Sequence, residues 1–301
     1  TLDNCELDAS GAAGRHGIVV VANTTANITL KNNTKIKTND VAPIKNYSTT
    51  SQKLTIGDDC TFEATVPIDG YVAQIDNVLY TSFNTARTDA NKAKESVTIK
   101  LLTDLEVTEN VWINNENGKT ITIDGNGHRV TTSGGKNINA FCIDKACTVV
   151  LKNMTVDHKN MGSVVQVTVN AKGVNLSLID VTINANNADN DESNYRYALI
   201  NVAASATVNL TNVIVDMDVE TAAKDFPGIV RTGNHNQEKT VTINVNGGNW
   251  NTEGAVRRHG IVIMNDTHAE VNLIGATITT ADVAPIADYS QKAVITRDDA
   301  T

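Results

Sequence analysis

The sequence predicts an all-β fold, a parallel β-helix of about ten coils with three short strands in each coil. One template recurs, in which apolar and polar residues alternate on both sides of a central Asn, Asp or Gly. Alternation with a period of two is typical of a strand, and the central residue divides it into two strands. A third apolar stretch precedes each template, as at Gly17–Val21 and Gly260–Met264. The template occurs as TVVLKNMTVD (148–157), VNLSLIDVTIN (174–184), TVNLTNVIVD (207–216) and EVNLIGATIT (270–279).

Alternate residues of the template are expected to point inward and to stack from coil to coil into one apolar column. The residues between them are expected to face solvent, so Leu210 should be buried and Asn209 outward. The predicted core residues are Val149, Leu151, Val156, Leu176, Leu178, Val181, Ile183, Val208, Leu210, Val213, Val215, Val271, Leu273 and Ile278.

The central residue of the template predicts a bend with a left-handed backbone, because Asn, Asp and Gly tolerate that conformation best. We expect their side-chain amides to stack as a structural asparagine ladder, and the alternative is a row of ligand-binding groups. The central residues are Asn32, Asn153, Asp180, Asn212 and Gly275.

A much longer repeat encloses this short one. RHGIVVV at 15–21 returns as RHGIVIM at 258–264, and DVAPI at 40–44 returns at 282–286. Residues 1–61 and 244–301 are therefore two copies of one segment, and the repeat is about 243 residues long. We expect the chain to be part of a tandem array, with both copies forming the same rung. His16 and His259 should occupy the same turn, and Pro43 and Pro285 the same strand edge.

Residues 71–105 interrupt the rhythm. YVAQIDNVLY predicts a hairpin that turns at Asp76–Asn77, and the following stretch predicts a short helix after an N-capping Ser82. We predict the last coils of one module over residues 1–68 and the next module over 69–301. In that second module, the hairpin and helix should span residues 71–95, and the coils should span residues 96–301. The apolar residues at helical spacing are Phe83, Ala86, Ala90 and Ala93.

The strand TIKLLTD at 98–104, which leads into ITIDGNGH at 121–128, follows the predicted hairpin and helix. This order resembles the opening of pectate-lyase-like right-handed β-helix domains in large bacterial surface and adhesin-like proteins. The resemblance implies a right-handed coil and a surface location. It implies no enzymatic activity, because this architecture carries lyases, hydrolases, adhesins and filaments alike.

Composition excludes several classes of function. The net charge is -9 without a basic cluster, which disfavours nucleic acid and anionic membrane surfaces. No apolar stretch approaches about 18 residues, so no membrane insertion is expected in this stretch of chain. A signal peptide and a wall anchor are expected outside it. We expect a secreted protein at the cell surface.

Two functions remain open after this reading. The first is a structural or adhesive stalk or filament, whose partners are neighbouring copies of the module and a glycan or other cell-surface ligand. The alternative is a polysaccharide lyase or glycoside hydrolase of the same fold. Tandem repetition favours the stalk, and aromatic residues, which provide stacking platforms for sugars, make up only 4% of the chain.

No catalytic residue and no cofactor are expected. The nearest match to a hydrolase site is Asp58–Asp59 with the Arg15–Gly17 motif, and again Asp298–Asp299 with Arg258–Gly260. Both sets are expected to be structural. In ITIDGNGH, Gly125 and Gly127 predict a tight turn and not a phosphate loop.

One stretch is a candidate calcium site. NANNADNDES at 184–193 brings Asp189, Asp191 and Glu192 together with several amide oxygens. Calcium prefers carboxylate and amide oxygens, although polar loops of this kind are also commonly only solvated.

Two further features leave alternatives open. Cys142 and Cys147 are either column or turn residues or a disulfide, whereas Cys5 and Cys60 are not expected to pair. The sequons at Asn175 and Asn209 occupy outward positions and are the better candidates for N-glycosylation, with Asn23 and Asn265 as further candidates.

Overall fold

The fold is nearly all β, with 51% strand and 4% helix, and its stacked parallel strands form a β-solenoid of about 9 turns. A computed structural model describes residues 1–48, 50, 52–133, 138–159, 162–185, 198–217, 228–233, 238–254 and 258–298. The chain forms two compact units, a first unit of residues 1–90 and 98–103 and a second unit of residues 91–97 and 104–301. The predicted fold class is confirmed. The module boundary at 68/69 stays a prediction.

The first unit contains eleven strands and most of the single described helix, and α1 and β11 each also contribute residues to the second unit. No helix in the described ranges has the length and apolar character needed to cross a bilayer. The elements are β1 Leu2–Asp3, β2 Glu6–Asp8, β3 Ile18–Val20, β4 Asn27–Lys31, β5 Lys35–Lys37, β6 Ile44–Asn46, β7 Lys53–Ile56, β8 Thr61–Glu63, β9 Ala73–Ile75, β10 Val78–Tyr80, α1 Phe83–Lys92 and β11 Val97–Leu101.

Three faces of parallel strands build each turn of the solenoid, which we call a rung. In the first unit, face 1 stacks β1, β4 and β7, face 2 stacks β2, β5 and β8, and face 3 stacks β3 and β6. Face 3 is continued by a bridge between Lys45 and Asp69. The inward residues of these strands, such as Leu30, Ile36 and Ile44, form one buried core.

A hairpin interrupts the parallel stacking of face 1. Strands β9 and β10 turn at Asp76 and Asn77, as predicted, and Asp76 has a φ of 49°. Strand β10 pairs antiparallel with β7, and β9 pairs antiparallel with β11. Two antiparallel strands therefore separate the rung that contains β7 from β11.

The predicted helix follows the hairpin directly. Helix α1 begins at Phe83, and it buries Phe83, Ala86 and Ala90 on one side. Ala93 lies beyond its last residue and is half-buried. Asp89 holds the helix to the sheet, because it accepts a hydrogen bond of 3.0 Å from the Tyr80 hydroxyl and pairs with Lys53.

The second unit repeats the three faces over more rungs. Its strands are β12 Leu105–Val107, β13 Thr120–Asp124, β14 Arg129–Thr132, β15 Phe141–Ile143, β16 Thr148–His158, β17 Val165–Val167, β18 Val174–Asn184, β19 Ile200–Val202, β20 Ala206–Thr211, β21 Ile214–Asp216, β22 Gly228–Thr232, β23 Lys239–Asn246, β24 Asn249–Thr252, β25 His259–Ile263, β26 Thr267–Ile274, β27 Thr277–Thr280, β28 Ile286–Asp288 and β29 Val294–Arg297.

Parallel pairing joins every described rung of the second unit to the next. Face 1 runs through β13, the first halves of β16 and β18, then β20, β23, β26 and β29. Face 2 runs through β12, β14, the second halves of β16 and β18, then β21, β24 and β27. Face 3 runs through β15, β17, β19, β22, β25 and β28.

The predicted inward residues form the core of the second unit. All of them are buried except Ile278, which is half-buried. Leu210 pairs in register with Leu178 on one neighbouring rung and with Val245 on the other, and all three are buried. Apolar side chains thus stack directly on one another, as the alternation requires.

Charged side chains line face 2 of the first unit. Glu6 and Asp8 on β2 lie beside Lys35 and Lys37 on β5, and Lys37 lies beside Glu63 on β8. Lys37 pairs with Glu6, and its Nζ lies 3.7 Å from Asp8. The hydrogen bond with Glu6 raises the pKa of Lys37, and hydrogen bonds from Ser10 lower the pKa of Asp8.

The same positions carry neutral side chains in the second unit. Asn249 pairs in register with Thr277, and Asn251 with Thr279. Face 2 of the second unit can therefore serve, within the same chain, as an uncharged control for the charged face 2 of the first unit.

The strand register gives a first prediction. Leu210 is 0% exposed, so Leu210→Asp should cost about 3 kcal/mol or more, because it buries a carboxylate without a partner. Asn209→Asp should cost only about 1 kcal/mol, because at a half-buried position it loses the hydrogen bonds that the Asn209 amide donates to Asn175 and Ser177. The urea concentration at half-unfolding measures both. Equal losses from the two variants would show that the register is wrong.

The charges of face 2 give a second prediction. The pKa of Asp8 lies below its usual 3.8, so its stabilising effect is present above that pH and is lost as the pH falls further. Acidification from about pH 5 to about pH 3, or about 1 M salt, should therefore lower the protection factor of the β5 amides, which is their exchange corrected for the intrinsic rate at each pH, and leave that of β27 much less affected. Hydrogen exchange with mass spectrometry measures both strands in one sample.

Lys37→Met tests the same charges at neutral pH. It should remove most of the salt sensitivity of β5, whereas Lys94→Met, at an exposed residue with no ion pair among the described residues, should not. Equal salt sensitivity of β5 in both variants would contradict the role of Lys37.

Candidate functional site

The RHG motif forms the same turn in both copies of the repeated segment, at the start of a face 3 strand. His16 Nδ1 lies 2.7 Å from the Ala42 carbonyl oxygen, and His259 Nδ1 lies 2.6 Å from that of Ala284. The amide of Gly17 donates to Pro43 over 3.0 Å, and that of Gly260 donates to Pro285 over 2.8 Å. We call this arrangement the repeated turn. Its predicted equivalence in the two copies holds at the level of individual hydrogen bonds.

The glycine of the repeated turn is fixed by packing. A Cβ atom on Gly17 would lie 2.3 Å from Ile36 Cγ2, and one on Gly260 would lie 2.5 Å from Ile278 Cγ2. Neither distance is compatible with a side chain at these positions. The histidine and the glycine of the RHG motif therefore hold the strand that follows them against the core, which is a structural role.

The hydrolase-like residues of the first copy contact other groups. Among the described residues, no hydrogen bond or ion pair joins His16 to Asp58 or Asp59. The imidazole contacts a backbone carbonyl oxygen instead, and Asp59 contacts the neighbouring Cys60 thiol.

The second copy differs at its aspartate. Asp298 takes the place of Gly57, because its amide donates to Leu273 as that of Gly57 donates to the equivalent Leu30. Its carboxylate accepts a hydrogen bond of 2.9 Å from the Gly275 amide and so closes a turn. The register is shifted by one residue from the match of Asp298 with Asp58 that the sequence indicates. Asp299 lies outside the described residues.

The central residues of the template have the predicted left-handed backbone. Their φ angles are 53° at Asn32, 53° at Asn153, 54° at Asp180, 52° at Asn212 and 59° at Gly275. Their side chains form pairs between neighbouring rungs, in which an asparagine amide donates to an aspartate. The pairs are Asn32 with Asp3, Asn153 with Asp124 and Asn212 with Asp180, at 2.7, 3.1 and 3.0 Å.

A second row of asparagines lies on the outer side of face 1, and the sequence analysis did not identify it. Asn209 donates to Asn175 over 3.0 Å, Asn244 donates to Asn209 over 2.9 Å, and Asn272 donates to Asn244 over 2.9 Å. We call these four residues the outer asparagine row. Asn209, Asn244 and Asn272 are in register with one another, whereas Asn175 lies two positions away, because the register partner of Asn209 is Ser177. The recurrence of Asn at outward positions of successive templates was the available signal.

The outer asparagine row is a neutral, regularly spaced surface of amide groups. Asn209, Asn244 and Asn272 are spaced by the distance between rungs, about 4.8 Å, and Asn175 lies diagonally opposite Asn209 on the neighbouring rung. Each side chain of the row is held by its neighbour, so the row is ordered before any partner binds. Such a row stabilises the stack and also offers the remaining hydrogen-bonding capacity of its amides to a polar ligand.

The predicted glycosylation sites fall into two structural classes. Asn23 and Asn265 are exposed and lie outside the strands. Asn175 and Asn209 belong to the outer asparagine row, where Asn209 both donates and accepts a hydrogen bond. Modification at any of the four stays a prediction.

A buried ion pair in the second unit also escaped the sequence analysis. Lys239 Nζ lies 2.6 Å from Asp266 Oδ1, and the two side chains are 3% and 10% exposed. The backbone amide of Lys239 also donates to the Asp266 carbonyl oxygen. Removing one member of such a pair leaves an uncompensated buried charge. The pair connects the starts of β23 and β26 and therefore acts on the stacking of two rungs.

The candidate calcium ligands Asp189, Asp191 and Glu192 lie outside the described residues. Within the described ranges, no group of three or more His, Cys, Asp or Glu residues is arranged to hold a metal ion. Calcium binding at 184–193 stays a prediction.

The ITIDGNGH stretch forms a tight turn. The amide of His128 donates to Gly125 over 2.8 Å, and that of Gly127 donates to Asn153 over 2.9 Å on the next rung. Gly125 lies so close to the backbone of that rung that a Cβ atom would be 2.3 Å from Met154 Cβ. The backbone amides of this turn are therefore bonded to neighbouring residues of the protein itself.

All four cysteines are free thiols. Cys142 and Cys147 are buried, and burial raises the pKa of Cys142 to about 12 and also raises the pKa of Cys147. Both thiols are therefore protonated at neutral pH. Of the two alternatives, the structure has Cys142 and Cys147 as core residues, and Cys5 and Cys60 are not bonded to each other.

No protein-family model, curated protein or solved structure matches the chain. What the structure defines is the class of fold, a β-solenoid of stacked parallel strands.

The repeated turn gives a third prediction. Gly17→Ala should cost about 1–3 kcal/mol, because the added methyl group overlaps Ile36. Gly11→Ala in the same unit is the matched control, since nothing lies within 4 Å of its Cβ position, and it should be neutral or slightly stabilising. Thermal unfolding measures both variants. A neutral Gly17→Ala would remove the packing explanation for the RHG motif.

Proposed function

We propose that the protein is a structural tandem-repeat component of an extracellular or cell-surface stalk or filament. The proposal extends the resemblance of residues 71–130 to pectate-lyase-like, adhesin-like surface proteins. The proposed partners are neighbouring copies of the same module and a glycan or other surface ligand at a distant tip.

One observation carries the proposal. Both copies of the repeated segment form the same turn with the same hydrogen bonds. His16 contacts the Ala42 carbonyl oxygen as His259 contacts that of Ala284. The amide of Gly17 donates to Pro43 as that of Gly260 donates to Pro285. A further copy of the repeat can therefore be added to the chain without a change of fold. Each addition extends a stalk, whereas it would add little to an enzyme.

The surface chemistry agrees with a structural role. The outer asparagine row and the Asn–Asp pairs both connect neighbouring rungs, so they stiffen the stack along its axis. The His–Gly motif that could suggest catalysis is engaged in the repeated turn instead.

The fourth prediction concerns length. A chain extended by a second copy of residues 62–301 should gain at least about 34 Å in its longest dimension, because the seven face 1 rungs from β13 to β29 are added at about 4.8 Å each. Its cross-section should stay the same. Small-angle X-ray scattering measures both quantities on the single-copy and double-copy chains. An increase in cross-section without an increase in length would contradict the stalk.

Enzyme assays provide the complementary test. Incubation with acidic and neutral polysaccharides should release neither reducing ends nor unsaturated products. Turnover that is abolished by His16→Ala or His259→Ala would assign catalysis to the repeated turn and would overturn the proposal.

A further inference from the structure

One lysine of the second unit points into the core. Lys239 is the first residue of β23, and it takes the inward position that Val241 and Ile243 continue along the strand. Lysine is rarely buried in proteins unless a group of opposite charge accompanies it. Here that group is Asp266, whose Oδ1 lies 2.6 Å from Lys239 Nζ, and the two side chains are 3% and 10% exposed. A primary amine and a carboxyl group are therefore enclosed together inside the protein.

The backbone holds the two side chains in this position. The amide of Lys239 donates to the Asp266 carbonyl oxygen over 3.1 Å, and Lys239 pairs in register with Thr267, the first residue of β26. The amide of Thr267 donates to the Met264 carbonyl oxygen over 3.0 Å, which closes the turn that contains Asp266. Strand pairing and a turn thus keep Nζ within hydrogen-bonding distance of the carboxyl group.

The other Lys–Asp pairs between described residues are in contact with water. The side chains of Lys31 and Asp3 are both 48% exposed, and those of Lys152 and Asp124 are 34% and 18% exposed. Their N–O distances are 3.0 and 3.1 Å, so these pairs are also in direct contact. They differ from the Lys239–Asp266 pair mainly in burial and are internal controls for its effect.

Burial changes the chemistry that such a pair can undergo. In water at neutral pH both groups are ionised, and an ammonium group has no lone pair with which to attack a carboxylate. A protein interior disfavours both charges, so a proton can pass from Nζ to the carboxylate and leave a neutral amine beside a carboxylic acid. Well-oriented groups within one molecule react at effective concentrations of about 10⁵–10⁸ M, and exclusion of water opposes the reverse hydrolysis. The enclosed pair therefore meets the conditions for amide formation.

A hydroxyl group lies beside the carboxyl group of this pair. Thr267 Oγ1 lies 3.4 Å from Asp266 Oδ1 and 2.8 Å from Thr232 Oγ1, and both threonines are buried. Thr232 Oγ1 also accepts a hydrogen bond of 2.9 Å from the Met264 amide. The Thr267 hydroxyl is thus held where it can donate to the carboxyl oxygen as negative charge develops there, which stabilises a tetrahedral intermediate.

We propose that Lys239 and Asp266 form an intramolecular amide bond, which links β23 covalently to β26 on the next rung. Nζ first gives a proton to the carboxylate, and its lone pair then attacks Cγ. The Nζ–Cγ bond forms, one C–O bond of the carboxyl group breaks, and the oxygen leaves as water with that proton and a second proton from Nζ. The reaction needs no oxidant, reductant or co-reactant. This inference does not rest on the stalk function, because it depends only on the interior of the second unit.

The mass of the intact, folded full chain tests the proposal directly. It should be lower than the mass of the sequence by one water molecule. Proteolytic digestion should yield a branched peptide in which the segment around Lys239 is joined to the segment around Asp266, and tandem mass spectrometry identifies the linked residues. The exposed pairs Lys31–Asp3 and Lys152–Asp124 should yield no branched peptide.

Substitutions at the two ends of the bond should change the mass in different ways. Asp266→Asn should form the same bond with loss of ammonia, so its mass should be lower than that of its sequence by one ammonia molecule. Lys239→Arg keeps a positive charge beside Asp266, but its guanidinium stays protonated and does not attack, so its mass should equal that of its sequence. Lys152→Arg is the matched control and should lose water as the unsubstituted chain does. Circular dichroism shows whether each variant keeps its strands.

Several outcomes would overturn the proposal. The full sequence mass in the folded chain after prolonged incubation would show that the pair stays an ion pair. Loss of water that mild alkali restores would assign it to a succinimide at an Asp–Gly sequence such as Asp69–Gly70. Loss of water that persists in a folded Lys239→Arg variant would show that Lys239 is not the nucleophile. The stalk function would still be decided separately by the scattering experiment.

Discussion

The structure depends on one constraint, which is that each rung is completed by the rungs beside it. A single turn of three short strands has no interior of its own, and its inward residues become buried only when a parallel neighbour stacks on them. Leu210 illustrates this, since it lies between Leu178 and Val245 in register. Core packing, strand hydrogen bonds and side-chain pairing therefore all act along the solenoid axis. The stability of any rung depends on its two neighbouring rungs.

Asparagine reinforces this constraint in two separate ways. At the bend between faces 1 and 2 it provides a left-handed backbone, and its amide also donates to an aspartate on the preceding rung, as Asn212 does to Asp180. On the outer side of face 1 it forms a row in which each amide donates to the residue before it. The first use is dictated by backbone geometry and the second by the stacking of identical side chains. One residue type thus serves both the turn and the lateral surface.

The sequence predicted what depends on local pattern and failed where neighbouring rungs decide. Alternation placed Leu210 in the core, and the hairpin turn at Asp76 and the helix from Phe83 followed from turn and helix signals. Ile278 was predicted to be buried by the same alternation and is only half-buried, because burial needs a further rung. The outer asparagine row joins residues about 30 positions apart, so its hydrogen bonds depend on a register that no local pattern specifies.

The two copies of the repeated segment lie beside different neighbours, so they separate the effect of the local sequence from the effect of the adjacent rungs. Where the neighbours are equivalent, as around His16 and His259, the copies agree in hydrogen-bond length to within about 0.2 Å. Where the neighbours differ, equivalent residues such as Leu54 and Ile295 differ completely in burial. An apolar residue in a solenoid is therefore part of a core only when the next segment is present, and the interior of such a protein is a series of interfaces. Because the contacts between successive rungs are also the contacts that bury the core, the stacking of rungs and the burial of apolar side chains are the same interaction in this architecture.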